Sequence, residues 1–302
     1  MHPNEIKEAF ERGENITQLL RRETGGNGNT EEIIEIAYDM QAGSYISQLN
    51  DPVFEALKRK YAEAIAAQLQ TLGIGGSVLE VGVGECTTLS YVMTATGSTF
   101  SSFHGFDISW SRVAKGRDWL ASHGLGASLV VASIFNAPYL DDSFDIVYTS
   151  HSIEPNGGNE VPLLQELYRI ARRYLVLVEP GFEFADEQAQ KRMERLGYVQ
   201  NVKQTAESLG MHVVKHQPFD VMINASNPSA ITIIEKNTTT NDETVPKFAC
   251  PKFGDPMVDS GDSFYATGSM MAYPKILGLP CLRIVDGAIA SKYVDHSCKA
   301  EG

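Results

Sequence analysis

Four cysteines, at positions 86, 250, 281 and 298, are scattered over 302 residues. A disulfide framework needs dense, pairable cysteines, so this sparse set points to reduced thiols. Long apolar runs are also missing, and a membrane-crossing helix would need about 20 such residues in succession. The opening MHPNEIKEAFERGEN is charged where a signal peptide would be apolar. A cytoplasmic location is the expectation, and there the Asn-x-Ser/Thr triplets at Asn15, Asn224 and Asn237 would carry no glycan. Clustered positive charge is the third absence. Lys and Arg number 25 against 38 Asp and Glu, a formal net charge of −13, with no basic stripe. Nucleic acid and anionic membranes both reward clustered cations, so neither is an expected partner.

What is there reads as a folded chain. Hydrophobic residues make up 43% and charged residues 21%, the ordinary globular range, and the length is about that of two domains. Three parts are expected: an N-terminal helical cap over 1–72, an α/β domain over 73–236 and a small β-rich module over 247–302. In the first part the apolar spacing of Ile6, Phe10, Ile16, Leu19 and Leu20 predicts one helix over 3–22. Asn29 with Glu32 resembles a capping box and opens a second helix running through Tyr38 to Tyr45, and a third spans about 51–72.

From Ser77 onward, short β-rich runs alternate with helical stretches: SVLEVG, FSSFHGFDI, SLVVAS, FDIVYTS, YLVLVEP, HVVKHQ and AITIIEKN. Strands separated by amphipathic helices imply βαβ units, hence a Rossmann-like, doubly wound, seven-stranded α/β sheet. The last two runs lie close together, which predicts an antiparallel pair at one edge. The polar tract TTTNDETVPK then reads as a linker.

The sharpest signal is Glu80-Val81-Gly82-Val83-Gly84-Glu85-Cys86-Thr87, between the first strand and a helix. Alternating glycines allow a sharp turn and close approach of a ligand to the backbone, and the helix start offers free N–H groups. Asp107, at the end of the second strand, is placed to accept both hydroxyls of a ribose. A nicotinamide fingerprint, G-x-G-x-x-G, would need glycine at position 87, which is Thr87; an NAD-dependent oxidoreductase is therefore the weaker reading. The ordered set LEVGVGEC, GFDIS (105–109), ASIFNAPYLDDSFDIVY (132–148) and LVLVEPG (175–181) resembles the class I S-adenosylmethionine-dependent methyltransferases.

That resemblance implies S-adenosyl-L-methionine as cofactor and covers residues 75–236. It would place Glu80, Gly82 and Gly84 along the methionine half, Asp107 on the ribose and Ile108 against the adenine, with Ser150 at the end of the fourth strand. Ser133 and Ile134 stand where the family often has Asp-Ala, so a hydroxyl would take the adenine-amino contact. Cys86 stands where a third glycine is common. Tyr38 and Tyr45 belong to a segment that in such enzymes folds over the cofactor; packing of the cap is their alternative role.

Methyl transfer needs alignment of donor and acceptor, exclusion of water and, at oxygen or nitrogen, removal of a proton. The polar run Ser150-His151-Ser152-Ile153-Glu154-Pro155-Asn156 leaves the fourth strand at that place. His151 is the candidate general base and Glu154 the residue orienting it or gripping a substrate amine or hydroxyl, with Asn156, Glu179 and Glu183 as candidate substrate contacts; a loop histidine satisfied by backbone and a solvated loop acid are the plainer accounts of His151 and Glu154. The expected function is methyl transfer to O or N of a small polar metabolite, and the expected partner a small molecule. A non-catalytic cofactor-binding or partner protein is the alternative.

Cys250-Pro251 and Tyr273-Pro274-x-x-x-Gly278-x-Pro280 resemble the zinc-ribbon activator subunit of tRNA and protein methyltransferases. The other three ligand positions hold Phe253, Ala266 and Ser269, so a four-thiolate site cannot be assembled and no metal is expected. The module would serve as a wall of the substrate site or as a homodimer contact.

Overall fold

The computed structural model describes residues 1–25, 28–224, 226–237 and 245–293. All seven β-rich runs form strands of one sheet: β1 (Ser77–Val81), β2 (Ser102–Asp107), β3 (Ser128–Val131), β4 (Phe144–Ser150), β5 (Ala171–Pro180), β6 (His212–Pro218) and β7 (Ser229–Glu235). Their order is β3-β2-β1-β4-β5-β7-β6. The first five are parallel and β7 runs antiparallel to both neighbours. Connections leave β1 toward one side and β4 toward the other, so a crevice opens at the carboxyl ends of these strands. The β6–β7 connection, expected to be short, spans 219–228.

Helices α6 (Thr87–Thr96), α7 (Trp110–Ser122) and α8 (Glu160–Ile170) link the parallel strands. An earlier helix, α5 (Pro52–Thr71), begins where Asp51 accepts the Val53 N–H at 2.9 Å and Pro52 occupies the first turn. Its Tyr61, Ile65 and Leu69 are fully buried against Val78, Ile146 and Val176 of the sheet. By packing, α5 is thus a layer of the α/β unit, and the separate helical cap ends before it.

That cap differs from the expected pattern in two places. The stretch 3–22 is two helices, α1 (Pro3–Glu11) and α2 (Ile16–Thr24). Gly13, at φ +80°, turns the chain, and Asn15 caps α2 by accepting the Gln18 N–H at 3.0 Å; a turn followed by a cap overrides apolar spacing. Thr30, not Asn29, caps α3 (Glu31–Met40), while Asn29 bonds Arg21 at 2.6 Å and the Pro155 carbonyl at 2.7 Å. Helix α3 ends at Met40, Gly43 reverses the chain at φ +99°, and a short α4 (Ser44–Gln48) follows. Tyr38 and Tyr45 therefore lie on different helices.

Two buried or half-buried carboxylates fasten this cap. Glu85, 1% exposed, accepts N–H groups of Gly43 at 2.9 Å, Tyr45 at 3.4 Å and Ile46 at 2.8 Å, at the start of α4. In the opposite direction Asp39 accepts from the Ser109 hydroxyl at 2.7 Å and from the N–H and hydroxyl of Ser111 at 3.0 Å, at the start of α7. Each negative charge meets the unpaired N–H groups of a helix start.

The C-terminal module holds β8 (Met257–Asp259), β9 (Ser263–Ala266), β10 (Met271–Ile276), β11 (Leu279–Pro280) and β12 (Ala288–Ile289), paired antiparallel. It covers the exposed edge of β3: Cys281 pairs in parallel with Val131, and the Leu282 N–H reaches the Val131 carbonyl at 2.8 Å. Arg283 forms an ion pair with Glu35 of α3. Cys250 is buried with its Sγ 3.4 Å from the Tyr273 hydroxyl. Among the described residues no group of three or more His, Cys, Asp or Glu is placed to hold a metal ion, and no helix is long and apolar enough to cross a membrane. The linker positions 238–244, and Cys298 within 294–302, lie outside the described residues.

Replacing Glu85 by Ala leaves three N–H groups without their acceptor, and hydrogen bonds to a charged group contribute about 1.5–3 kcal/mol each when intact. The expected outcome is a urea midpoint shifted by at least about 2 kcal/mol in stability, with faster proteolysis within residues 1–48. An unchanged midpoint and cleavage pattern would show that the cap docks without this carboxylate.

Candidate active site

A cavity of about 470 Å³ opens at the carboxyl ends of β1, β2 and β4 and is roofed by the cap. Such a volume is typical of small-molecule sites. Its floor is the turn after β1, where Gly82, Gly84 and Cys86 take φ of +66°, +51° and +56°. Left-handed backbone at alternate positions explains the glycines; Cys86 adopts the same conformation with its side chain fully buried. A Cβ on Gly82 would sit 2.3 Å from Ser152 Cβ, and one on Gly84 would sit 2.4 Å from the Arg112 guanidinium.

Glu80 lines one end of the cavity, buried, with its Oε2 accepting the Tyr148 hydroxyl at 2.7 Å. Lys58 of α5 reaches in beside it and donates to Thr88 Oγ1 at 2.6 Å. Burial raises the Glu80 carboxyl and lowers the Lys58 ammonium, and the opposite charge of each holds back the shift of the other. Asp107 ties the floor together: Oδ2 accepts the Gly84 N–H at 3.0 Å and Oδ1 the Ser109 N–H at 2.9 Å. Arg112 lies 3.9 Å from that carboxylate, its guanidinium 5.2 Å from the Tyr38 ring and 4.7 Å from the Tyr45 ring. Both tyrosines, separate in the chain, thus meet over one cation.

Ile108 and Ile134 line the next wall. Ser133 does not: the residue is 6% exposed, its hydroxyl donates to Glu31 of the cap, and it accepts the Phe135 N–H at 3.0 Å. The carboxylate facing the cavity there is Glu31, supplied from outside the sheet.

At the other end stands His151, in the left-handed region at φ +52°. Its Nδ1 lies 3.0 Å from Glu154 Oε2 and its Nε2 2.7 Å from Ser229 Oγ. Asn227 donates to the same Glu154 oxygen at 3.2 Å. Burial alone would lower the imidazole pKa, but the hydrogen bond and charge of Glu154, with the charge of Glu179, outweigh it and raise it above 6.5. Glu179 is buried behind this pair, accepting the Ser152 N–H at 3.1 Å. Burial pushes its carboxyl up to about 7, with the charge of Glu154 acting the same way and His151 opposing.

Of the residues singled out by sequence, Tyr38, Tyr45, Glu80, Gly82, Asp107, Ile108, Ile134, Ser150, His151, Glu154 and Asn156 share this one cavity. Gly84, Ser133 and Glu179 stand one layer behind it. Glu183 does not line it: it sits in a short turn, Phe182–Phe184, beyond β5, where its charge acts on His216 of β6. Sequence reasoning missed Lys58, Arg112, Glu31 and Asn227. Lys58 and Arg112 carried a signal, since each occupies a buried helix face among apolar residues. Glu31 and Asn227, in a first turn and a loop, carried none.

Residues 78–174 match the family described as Methyltransferase domain. Comparison with curated proteins gave no match. Among solved structures, magnesium protoporphyrin IX methyltransferase from Synechocystis PCC 6803 with bound SAH is similar at 14% identity and a TM-score of 0.51, over 68% of this chain and 99% of that one. A chain in the complex of the Haloferax volcanii Trm112 methyltransferase activator with a methyltransferase is similar at 14% identity and a TM-score of 0.51, over 67% and 98%. At these identities the likeness is one of fold.

Glu179 yields a stability prediction. Its folded pKa, about 7, lies above the ordinary carboxylate value of 4.5, so the fold favours the protonated form and loses stability as pH rises between those values. Glu179→Gln mimics the protonated form. The variant's thermal midpoint, relative to wild type, should be higher at pH 8 than at pH 5; equal differences would show that the carboxyl is not buried in this way.

Proposed function

We propose that this protein, whose residues 78–174 match the methyltransferase domain family, is an S-adenosylmethionine-dependent methyltransferase that methylates an oxygen or nitrogen of a small polar acceptor. The observation that carries the reading is one continuous cavity lined by Glu80, Gly82 and Asp107 together with His151 and Glu154.

The cofactor suits the residues present. At Gly82 the turn has no space for a side chain, so its backbone faces the cavity directly. Glu80 would meet the ammonium of the methionine half and Lys58 its carboxylate. Asp107, fixed by two N–H donors, would accept the ribose hydroxyls. Ile108 and Ile134 would flank the adenine, and Glu31, held by Ser133, would take the adenine amino group in place of the usual loop aspartate. Tyr38 and Tyr45 would close over the top. Bound there, the cofactor supplies a sulfonium-borne methyl group for in-line displacement.

The chain's own contribution is alignment, dryness and proton removal. The cap excludes water above the transfer axis. Glu154 and Ser229 engage opposite nitrogens of His151 and so fix the ring, and the His151–Glu154 pair takes up the proton that the acceptor loses. Asn156, its side chain donating to the Ile153 carbonyl at 3.0 Å, stiffens the loop that carries them.

Asp107→Ala should abolish binding of S-adenosylhomocysteine in calorimetry; retained affinity would remove the ribose role. His151→Ala should keep that affinity while slowing labelled-methyl transfer by roughly 10²–10⁴-fold. The pH profile gives a third check. A base acts when unprotonated, and the pKa of His151 is raised above 6.5 by Glu154 and Glu179 against burial and the charge of Lys58. Transfer should therefore rise with pH through a midpoint above 6.5, and Glu154→Gln should move that midpoint down; an unmoved midpoint would place the titrating group elsewhere.

A further inference from the structure

We propose that the acceptor end of the cavity takes a small protonated alkylamine, held as its ammonium by the Glu154 carboxylate and the Asn227 carbonyl oxygen and methylated on that nitrogen. This rests on the methyltransferase reading and narrows its acceptor.

Asn227 carries the inference. It lines the cavity at 7% exposure, and its amide orientation is set by Nδ2 donating to Glu154 Oε2 at 3.2 Å. That leaves Oδ1 buried without a hydrogen-bond donor. A buried acceptor without a partner is costly, so a ligand N–H or O–H is the group this site lacks. An alcohol brings one such donor; an ammonium brings up to three, enough for Oδ1 and the adjacent carboxylate together.

Charge points the same way. Among the described residues that line the cavity, Lys58 and Arg112 are the basic side chains besides His151, and their own contacts are to Thr88 and Asp107. The acceptor end presents Glu154, with Glu179 buried directly behind it. An acceptor carboxylate or phosphate would face these two acids, whereas an ammonium completes the set.

The chemistry balances. The ammonium loses one proton to the His151–Glu154 pair, and the freed nitrogen lone pair forms the N–C bond as the C–S bond breaks with its electrons going to sulfur. A neutral thioether and a methylated ammonium result, and the proton leaves from His151 to solvent.

Three probes of one skeleton test this: ethanolamine, ethylene glycol and glycolate, each followed by saturation-transfer NMR on protein saturated with S-adenosylhomocysteine. Ethanolamine should bind and the other two should not. Glu154→Gln and Asn227→Leu should each weaken ethanolamine at least about tenfold, roughly 1.4 kcal/mol, while calorimetry shows S-adenosylhomocysteine bound as in wild type, which establishes that the variants are folded. Equal binding of glycol or glycolate, absent binding of ethanolamine, or ethanolamine binding unchanged in both variants would overturn the amine. Failure of wild type to bind S-adenosylhomocysteine would instead overturn the methyltransferase reading, and the amine with it.

Discussion

A carboxylate on the floor of the cavity holds its roof. Glu85 leaves the glycine turn and ends among the N–H groups that open α4, so the turn that faces the cofactor and the segment that covers it share one buried charge. Asp39 answers from the roof to the start of α7. Burying a carboxylate is costly unless its oxygens are satisfied, and here N–H groups with no partner of their own supply that need. The same contacts set the distance between Tyr45 above and Asp107 below, with Arg112 between them.

Charge divides this enclosed space into two chemistries. Toward the glycine turn, acids alternate with the two basic side chains, an arrangement suited to a zwitterionic amino-acid moiety. Toward β4 and the 219–228 connection, the acids stand with an imidazole and amides only. Low dielectric strengthens both patterns, because neither set of charges is screened by bulk water. Strands β1 and β2 deliver Glu80 and Asp107 to the first set, with Lys58 and Arg112 coming from α5 and α7, while β5 and the segments after β4 and before β7 deliver the second.

Strands were legible because β-branched and aromatic runs such as FDIVYTS and YLVLVEP stay apolar on both faces, the mark of a doubly covered parallel sheet. The order of the acidic and glycine positions made one end of the site legible as well, down to Asp107. What escaped depends on tertiary approach. Ser133 reads as a weakened adenine contact until Glu31, 102 residues earlier, is seen to accept its hydroxyl. Asn227 is an ordinary loop asparagine until the β6–β7 connection folds over His151. Helix continuity misled at 3–22 and at 31–45 because apolar spacing carries on across turns that Gly13 and Gly43 impose.

The module that covers β3 ties the wall of the site to its roof. Residues 281 and 282 pair with Val131, next to the wall formed by Ala132 and Ile134, and Arg283 reaches Glu35 of α3, the helix that also supplies Glu31 and Tyr38. Without these contacts β3 would carry an open strand edge beside an unbuttressed ligand wall. Loosening the module would therefore disturb wall and roof together.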